Sequence, residues 1–189
     1  MGKVIVGTTM SLDGFIKDRQ GSVQPLYPDL AALRETEMLQ ESMRNTGAVV
    51  MGRHAYDMAH GDFTGYEYQV PIIVLTHHPP ERLPQGANAR LTFTYVIDGI
   101  EHAIQEAKAA AGEKDVTVIG GANAAQQCIN AGLFDELRIG IVPILLGGGL
   151  RFFDNISIEP LDLEQMRIFE SPSRIDICYR VRAKSTEVR

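Results

Sequence analysis

Short, continuous apolar runs alternate along the chain with longer segments whose apolar residues recur every three or four positions. The runs lie at 3–9, 48–51, 70–76 and 116–119, with further strand-like stretches at 90–95 and 135–142. Continuous apolarity is typical of strands that are buried on both faces of a parallel sheet. The three-to-four spacing predicts helices between Asp29 and Gly47, between Asp98 and Gly112, and over 122–129.

Residues that commonly cap helices stand at both ends of the first two predicted helices. Asp29 and Asp98 stand at the predicted starts, where a carboxylate can accept hydrogen bonds from the free N–H groups of the first turn. Gly47 and Gly112 stand at the predicted ends, where glycine readily adopts the left-handed conformation that closes a helix. The pattern therefore predicts one long helix before the second strand and another before residue 116.

The chain changes character after residue 142. Residues 161–169 and 175–182 alternate apolar and polar positions, which predicts an antiparallel pair of strands joined by a turn at 171–173. Strands alternate with helices up to that point and pair directly beyond it. We therefore predict an α/β fold with a mostly parallel central sheet and an antiparallel C-terminal strand pair, in a single domain over 1–189.

A glycine pair, Gly120 and Gly121, lies between the strand at 116–119 and the helix at 122–129. A strand, a glycine turn and a helix N-terminus together bring bare backbone and free N–H groups close to an anion such as phosphate. Glycine is also used in tight turns only because it tolerates positive φ. The pair alone therefore leaves both interpretations open.

Two further turns follow buried strands, at 52–54 and 76–78. The carboxyl ends of parallel strands meet at one edge of a sheet, where open α/β sheets bind ligands. The turns offer Arg53 and His54, and Thr76 with His77, beside the backbone of the glycine pair. This set suits a ligand with two separated phosphate groups, because arginine presents a donor fork that matches phosphate.

Asp13, after the first strand, is the best-placed carboxylate for contact with a substrate. It is equally suited to forming a turn with Gly14. The sequence has no nucleophile elbow, no metal-ligand spacing and no paired-carboxylate motif, so we expect no bound metal. An anion-binding edge without a strong catalytic set favours hydride transfer, in which a cofactor carries the chemistry.

Composition narrows the classes of partner. The net charge of −6 argues against nucleic acid and against an anionic membrane as partners. Cys128 and Cys178 lack metal-site spacing and are expected to be free thiols. The apolar stretch near the N-terminus is too short for a signal peptide or a membrane span. We therefore expect a cytoplasmic protein that acts on a small molecule.

Four ordered motifs resemble the dihydrofolate reductase-like superfamily, and within it the proteins similar to the reductase domain of bifunctional riboflavin biosynthesis enzymes. The motifs are Ser11-Leu12-Asp13-Gly14-Phe15-Ile16, Val50-Met51-Gly52-Arg53-His54-Ala55-Tyr56, Val118-Ile119-Gly120-Gly121-Ala122 and Val142-Pro143-Ile144-Leu145-Leu146-Gly147-Gly148-Gly149. The resemblance implies a three-layer αβα domain, NADPH as the cofactor, and a homodimer.

The resemblance also implies roles for individual residues. The nicotinamide would meet Thr8, Thr9 and Ile16, and the pyrophosphate would lie on Gly120, Gly121, Ala122, Asn123 and Ala124. The turn of Gly52, Arg53 and His54 would contact the pyrophosphate and the 2′-phosphate, with Thr76 and His77 near the adenosine phosphate. Asp13 would lie beside the substrate as the catalytic-site carboxylate.

Departures from these patterns bear on the substrate. Gly140 stands where true dihydrofolate reductases have a threonine, and the chain contains no tryptophan. Ile119 stands where riboflavin-pathway reductases have a glutamate. The leading hypothesis is a reductase of a 5-amino-6-(5-phosphoribosylamino)uracil-like substrate. Dihydrofolate reduction is a second hypothesis, and a non-catalytic NADPH- or nucleotide-binding protein of the same fold is a third.

Overall fold

A computed structural model describes residues 2–182, in which helices flank a central eight-stranded sheet. The strands are β1 (Val4–Ser11), β2 (Phe15–Lys17), β3 (Thr46–Gly52), β4 (Ile72–Leu75), β5 (Phe93–Val96), β6 (Asp115–Ile119), β7 (Glu136–Val142), β8 (Leu150–Arg151), β9 (Leu163–Ser171) and β10 (Arg174–Val181). The helices are α1 (Leu30–Arg34), α2 (Glu37–Asn45), α3 (Arg53–Asp57), α4 (Ile100–Ala111) and α5 (Ala122–Asn130).

The central sheet has the order β5-β4-β3-β6-β1-β7-β10-β9. The first six of these strands are parallel, and β10 pairs antiparallel with both β7 and β9. The predicted α/β architecture, with a mostly parallel sheet and an antiparallel C-terminal pair, is confirmed. The short strands β2 and β8 form a separate antiparallel pair.

Both faces of the parallel sheet are buried, as its continuous apolar runs predict. In β3, Ala48 and Val50 belong to the core layer that also contains the buried faces of α4 and α5. Val49 and Met51 belong to the opposite layer, which is rich in aromatic rings. Because successive side chains of a strand point to opposite faces, a strand between two helical layers needs apolar residues at every position.

The helix predicted between Asp29 and Gly47 is in fact two helices, so that prediction is wrong in its extent. Asp29 caps α1 as expected, with its carboxylate accepting from Ala32 N–H at 2.9 Å. The chain then breaks at Thr36, whose backbone is extended and whose hydroxyl accepts from Leu39 N–H and donates to the Leu33 carbonyl. A threonine side chain at an N-cap hydrogen-bonds the free backbone groups at the start of a helix. At Thr36 this capping decides the structure, although the apolar spacing would also allow the residue inside one continuous helix.

Two other predicted helix boundaries also need correction. Gly47 lies inside β3, and a Cβ there would lie 2.7 Å from the Ala111 carbonyl oxygen, so its role is close packing against the end of α4. The cap of α4 is Gly99, at φ +115°, and Asp98 instead bonds His102 through the ring nitrogen Nδ1 at 2.7 Å. Gly112 closes α4 with φ +62°, as predicted.

Candidate active site

The three predicted turns lie together at the carboxyl edge of the sheet. Gly52 is the last residue of β3, Thr76 follows β4 and Gly120 follows β6, and β3 lies between the other two strands. The Gly52 N–H donates to the Gly120 carbonyl at 3.4 Å, which joins two of the turns directly. Their predicted proximity is therefore confirmed, and together they border a long trough.

Both residues of the glycine pair have backbone conformations that favour glycine, and Gly120 has no room for a side chain. Gly120 and Gly121 have φ values of +75° and +77°, and a Cβ on Gly120 would lie 2.6 Å from the Cβ of Ala55. Gly121 is the N-cap of α5, and no side chain caps this helix end or places a carboxylate in its first turn. The free N–H groups and the positive end of the helix dipole therefore face the trough.

Two cavities form the trough and meet at the glycine turn. The first measures about 720 Å³ and lies over the end of β1, and the second measures about 600 Å³ and lies between α5 and the loops after β3 and β4. The first is lined by the predicted residues Thr8, Thr9, Ile16 and Gly120, the second by Gly52, Arg53, His54, Thr76, His77, Asn123 and Ala124, and both by Gly121 and Ala122. Every predicted cofactor residue thus lines the trough, and its contact with a cofactor stays a prediction.

Over residues 2–182, the trough is lined by basic side chains and by no carboxylate, although the protein as a whole is acidic. No aspartate or glutamate is among the described residues that line either cavity, whereas the whole chain has a net charge of −6. Arg53 and three histidines line the second cavity. Lys17, which the sequence motifs did not identify, lines both cavities from the end of β2. This distribution of charge favours an anionic ligand along the whole trough.

Arg53 is held in place by its own neighbours. Its Nε donates to Asp57 Oδ1 at 2.8 Å, and its Nη1 donates to the carbonyl of His78. Thr76 supports the same turn, because its hydroxyl donates to that carbonyl and accepts from His78 N–H, both at 3.2 Å. The Arg53 side chain is 39% exposed, so part of its guanidinium is open to solvent in the second cavity.

Asp13 lies outside both cavities and fastens the loop that follows β7. Its carboxylate accepts from Ser11 Oγ at 2.6 Å, from Gly147 N–H at 2.8 Å and from Leu146 N–H at 3.1 Å. The Ser11 hydrogen bond is the largest of the effects that lower the pKa of Asp13 to about 2. Burial, the next largest effect, raises the pKa, and the hydrogen bonds from Gly147 and Leu146 lower it further. Asp13 is therefore an ionised carboxylate that holds the loop after β7 in place. Its contact with a substrate stays a prediction.

A third cavity opens from the first and was not predicted. This inner cavity measures about 290 Å³ and lies between the α1–α2 pair and the sheet. It shares Gly7, Thr8, Thr9, Tyr27, Leu30 and Ile119 with the first cavity. Its floor carries Arg138 and Gly140 of β7 with Arg174 and Asp176 of β10. Alternating charges on a strand usually indicate a solvent-facing side, so the pattern contains no signal for this buried cluster.

Two other kinds of feature are absent from residues 2–182. No group of three or more histidine, cysteine, aspartate or glutamate side chains there is arranged to hold a metal ion. None of the helices in this part of the chain is long and apolar enough to cross a membrane.

Comparisons with known proteins agree with the architecture. The family model of the RibD C-terminal domain matches residues 2–177. The uncharacterized protein YyaP of Bacillus subtilis (strain 168) is 24% identical over 162 residues, which is 82% of this chain and 81% of that protein.

Solved structures share the fold at low sequence identity. A proposed riboflavin biosynthesis protein from Shewanella sp. PV-4 aligns with a TM-score of 0.77 at 24% identity, covering 96% of this chain and 99% of that one. A Thermotoga maritima diaminohydroxyphosphoribosylaminopyrimidine deaminase/5-amino-6-(5-phosphoribosylamino)uracil reductase gives 0.72 at 14% identity, covering 96% and 57%. Dihydrofolate reductase from Enterococcus faecalis, solved with NADP(H), gives 0.61 at 15% identity, covering 96% and 98%. The fold is therefore dihydrofolate reductase-like.

Proposed function

The chain belongs to the family of RibD C-terminal domains, and from that membership we propose that it is an NADPH-dependent reductase of a small heterocyclic or nucleotide-like substrate. The observation that carries the proposal is the carboxylate-free trough with the uncapped N-terminus of α5 at its centre. A dinucleotide has an anionic middle and two bulky ends, which matches two cavities joined at an anion-binding turn.

The residues that would hold the cofactor follow from this arrangement. The nicotinamide would occupy the first cavity beside Thr8, Thr9 and Ile16, and the pyrophosphate would lie on the backbone of 120–124. The adenosine end would occupy the second cavity, with Arg53 and its neighbours at the 2′-phosphate. Bound NADPH supplies the hydride, and the chain contributes binding, orientation and a site that favours anions.

The leading substrate is a 5-amino-6-(5-phosphoribosylamino)uracil-like compound, supported by family membership and by the activity in the name of the Thermotoga maritima protein. Dihydrofolate is the alternative enzyme substrate, supported by the shared fold. A non-catalytic NADPH-binding protein is the alternative from another class. An assay of NADPH oxidation with each compound, monitored as the loss of reduced-nicotinamide absorbance, separates the three hypotheses. Under the non-catalytic alternative, no substrate causes NADPH oxidation.

The cofactor preference tests Arg53. We expect the Arg53→Ala variant to bind NADPH about ten- to a hundredfold more weakly and NADH almost unchanged, because a charge-assisted phosphate contact contributes about 1.5–3 kcal/mol. Asp57→Asn is the matched control, since it removes the ion-pair partner while keeping the guanidinium. We expect this control to keep or increase the NADPH preference. Equal affinities for NADPH in the parent and in Arg53→Ala would refute the 2′-phosphate contact.

The proposal also includes a cytoplasmic homodimer. Both cysteines are buried and unpaired, which suits a reducing compartment. Apolar side chains are exposed on the C-terminal strand pair, on the loop after β7 and just after β8, namely Leu145, Phe153, Met166, Ile168 and Ile175. An apolar surface of this kind beside an edge strand supports association with a second copy.

A further inference from the structure

The floor of the inner cavity contains more positive than negative charge. Arg174 and Asp176 form a pair in which Nε donates to both carboxylate oxygens at 3.0 Å and Nη2 also contacts Oδ1. Their side chains are 6% and 5% exposed. This pair is neutral as a unit, so its charges largely cancel within the cavity.

Arg138 is the residue whose charge is not balanced in this way. Its Nη2 donates to Glu136 at 3.3 Å, but Glu136 also forms the closer ion pair with Lys3, at 2.5 Å. One carboxylate therefore serves two cations. The excess positive charge beside the cavity belongs to Arg138, whose side chain is only 14% exposed.

The Nε of Arg138 also lacks a hydrogen bond. It is the one buried side-chain nitrogen or oxygen among the described residues that has no partner. Leaving a buried donor of a charged group unpaired costs its full desolvation, and native structures rarely retain such a group without a reason. A ligand oxygen in the cavity would remove that cost, since Arg138 lines the cavity.

We propose that the inner cavity binds the oxygen-bearing end of the reducible substrate, and that Arg138 recognises a singly charged anionic oxygen group there. This inference rests on the proposed reductase function and specifies the substrate class for the same site. The remainder of the substrate would extend through the shared opening at Thr8, Thr9 and Tyr27 toward the first cavity. The ligand is thus a flat ring or short chain that carries a carboxylate or an ionised ring oxygen.

The charge count favours a monoanion over a phosphate at this position. The other carboxylate that lines the cavity, Glu67, is already paired with Arg34 at 2.8 Å. One unbalanced guanidinium therefore faces the cavity, whereas a phosphate monoester carries almost two negative charges near neutral pH and usually receives several cationic or backbone donors. The remaining walls are formed largely by Leu33, Met38, Leu39 and two tyrosines, Tyr66 and Tyr68. Apolar and aromatic walls fit a ring, and a single charged group at the end fixes its orientation.

The test compares three small probes by NMR titration of the whole chain: benzoate, benzamide and phenyl phosphate. In the parent protein we expect benzoate to bind at least tenfold more tightly than benzamide, because one hydrogen bond to a charged group is worth about a tenfold or greater difference in affinity. In the inner cavity, benzoate should also bind more tightly than phenyl phosphate. We expect the benzoate preference to disappear in Arg138→Met and to be reduced in Arg138→Lys, which keeps the charge without the Nε–H.

Arg167→Met is the matched control, because Arg167 lies on β9 and pairs with Glu37 and Glu41 outside the cavity. It should keep the benzoate preference. Thermal melts of the same samples report folding, and Arg138→Met should melt no lower than the parent, since it removes a poorly paired buried charge. If Arg138→Met does not fold, Arg138→Lys decides the test.

The inference is overturned if benzoate shows no preference in the parent, if Arg138→Met and Arg138→Lys both retain it, or if phenyl phosphate binds in the inner cavity more tightly than benzoate does. NADPH affinity measured on the same samples separates this failure from failure of the proposed function. Loss of the benzoate preference with NADPH binding intact supports the inference. Absence of NADPH binding in the parent refutes the reductase proposal, whatever the probes show.

Discussion

Replacing Gly140 by alanine tests the buried pair on the floor of the inner cavity. Gly140 lies on β7 opposite Asp176 of β10, and the Arg174 side chain lies over the position where a side chain of residue 140 would point. A Cβ at residue 140 would lie 1.8 Å from Arg174 Nη2 and 2.6 Å from Asp176 Oδ1. The added methyl group therefore displaces both members of the pair.

The size of the effect follows from that overlap. Ordinary contact with a Cβ begins near 3.4 Å, so Nη2 must move by about 3.4 − 1.8 = 1.6 Å. That movement disrupts the hydrogen bonds of two buried charges, and breaking a buried pair costs about 3–5 kcal/mol. Because the pair can partly re-form, we expect Gly140→Ala to lower the free energy of unfolding by about 2–4 kcal/mol. The melting temperature should fall by roughly 5–15 °C for a chain of this size.

Urea unfolding of the parent and its variants measures this quantity. Gly7→Ala is the matched control, because residue 7 lies on the neighbouring strand β1 and a Cβ there would meet no atom within 4 Å; it should change stability by less than about 1 kcal/mol. Gly140→Ala should cost far less in an Arg174→Ala/Asp176→Ala background, where both obstructing groups are gone. An equal cost in the two backgrounds, or a Gly140→Ala variant as stable as the parent, would refute the steric conflict with the pair.

The remaining predictions concern the loop after β7 and the oligomeric state. The folded pKa of Asp13, about 2, lies below the ordinary value of 3.8, so its contribution to stability is present above pH 3.8 and is lost as the pH falls through about 2. We expect Asp13→Asn to melt below the parent near neutral pH and the difference to close between about pH 4 and pH 2; a constant difference across that window would contradict the role of Asp13 in holding the loop. Light scattering should give a mass of about twice 20.8 kDa for the parent and one subunit for Ile168→Glu, with Glu170→Gln on the same strand as the control. A monomeric parent would refute the homodimer.

The features that could be predicted from sequence have local causes. A continuous apolar run such as that of β3 indicates a strand buried on both faces, and the glycines at 120 and 121 indicate a turn without side chains. The parallel order of the strands then brings the turns after β3, β4 and β6 to one edge. The α/β class and the trough therefore follow from patterns that a few neighbouring residues determine.

The missed features depend on pairings that are distant in sequence or on competition between local signals. Thr36 fits the apolar spacing of one helix and also the cap of another, and only packing decides between them. Arg174 pairs with Asp176 inside β10, and Arg138 pairs with Glu136 inside β7. The register of β10 against β7 decides where these charges lie, because it places Asp176 beside Gly140. The i, i+2 spacing of charges within each strand is equally typical of a solvent-facing side, so it does not indicate that these side chains will be buried.

The break at Thr36 has a consequence for how a substrate reaches the inner cavity. It leaves α1 as a five-residue helix with no buried residue, fastened by the Asp29 cap and by the exposed ion pair of Arg34 with Glu67. Leu30 and Leu33 of this helix form part of the cavity wall. So short a helix with so little burial opens at a small free-energy cost, far below that of global unfolding. Local opening of α1 can therefore admit a ligand while the sheet and the glycine turn keep their geometry.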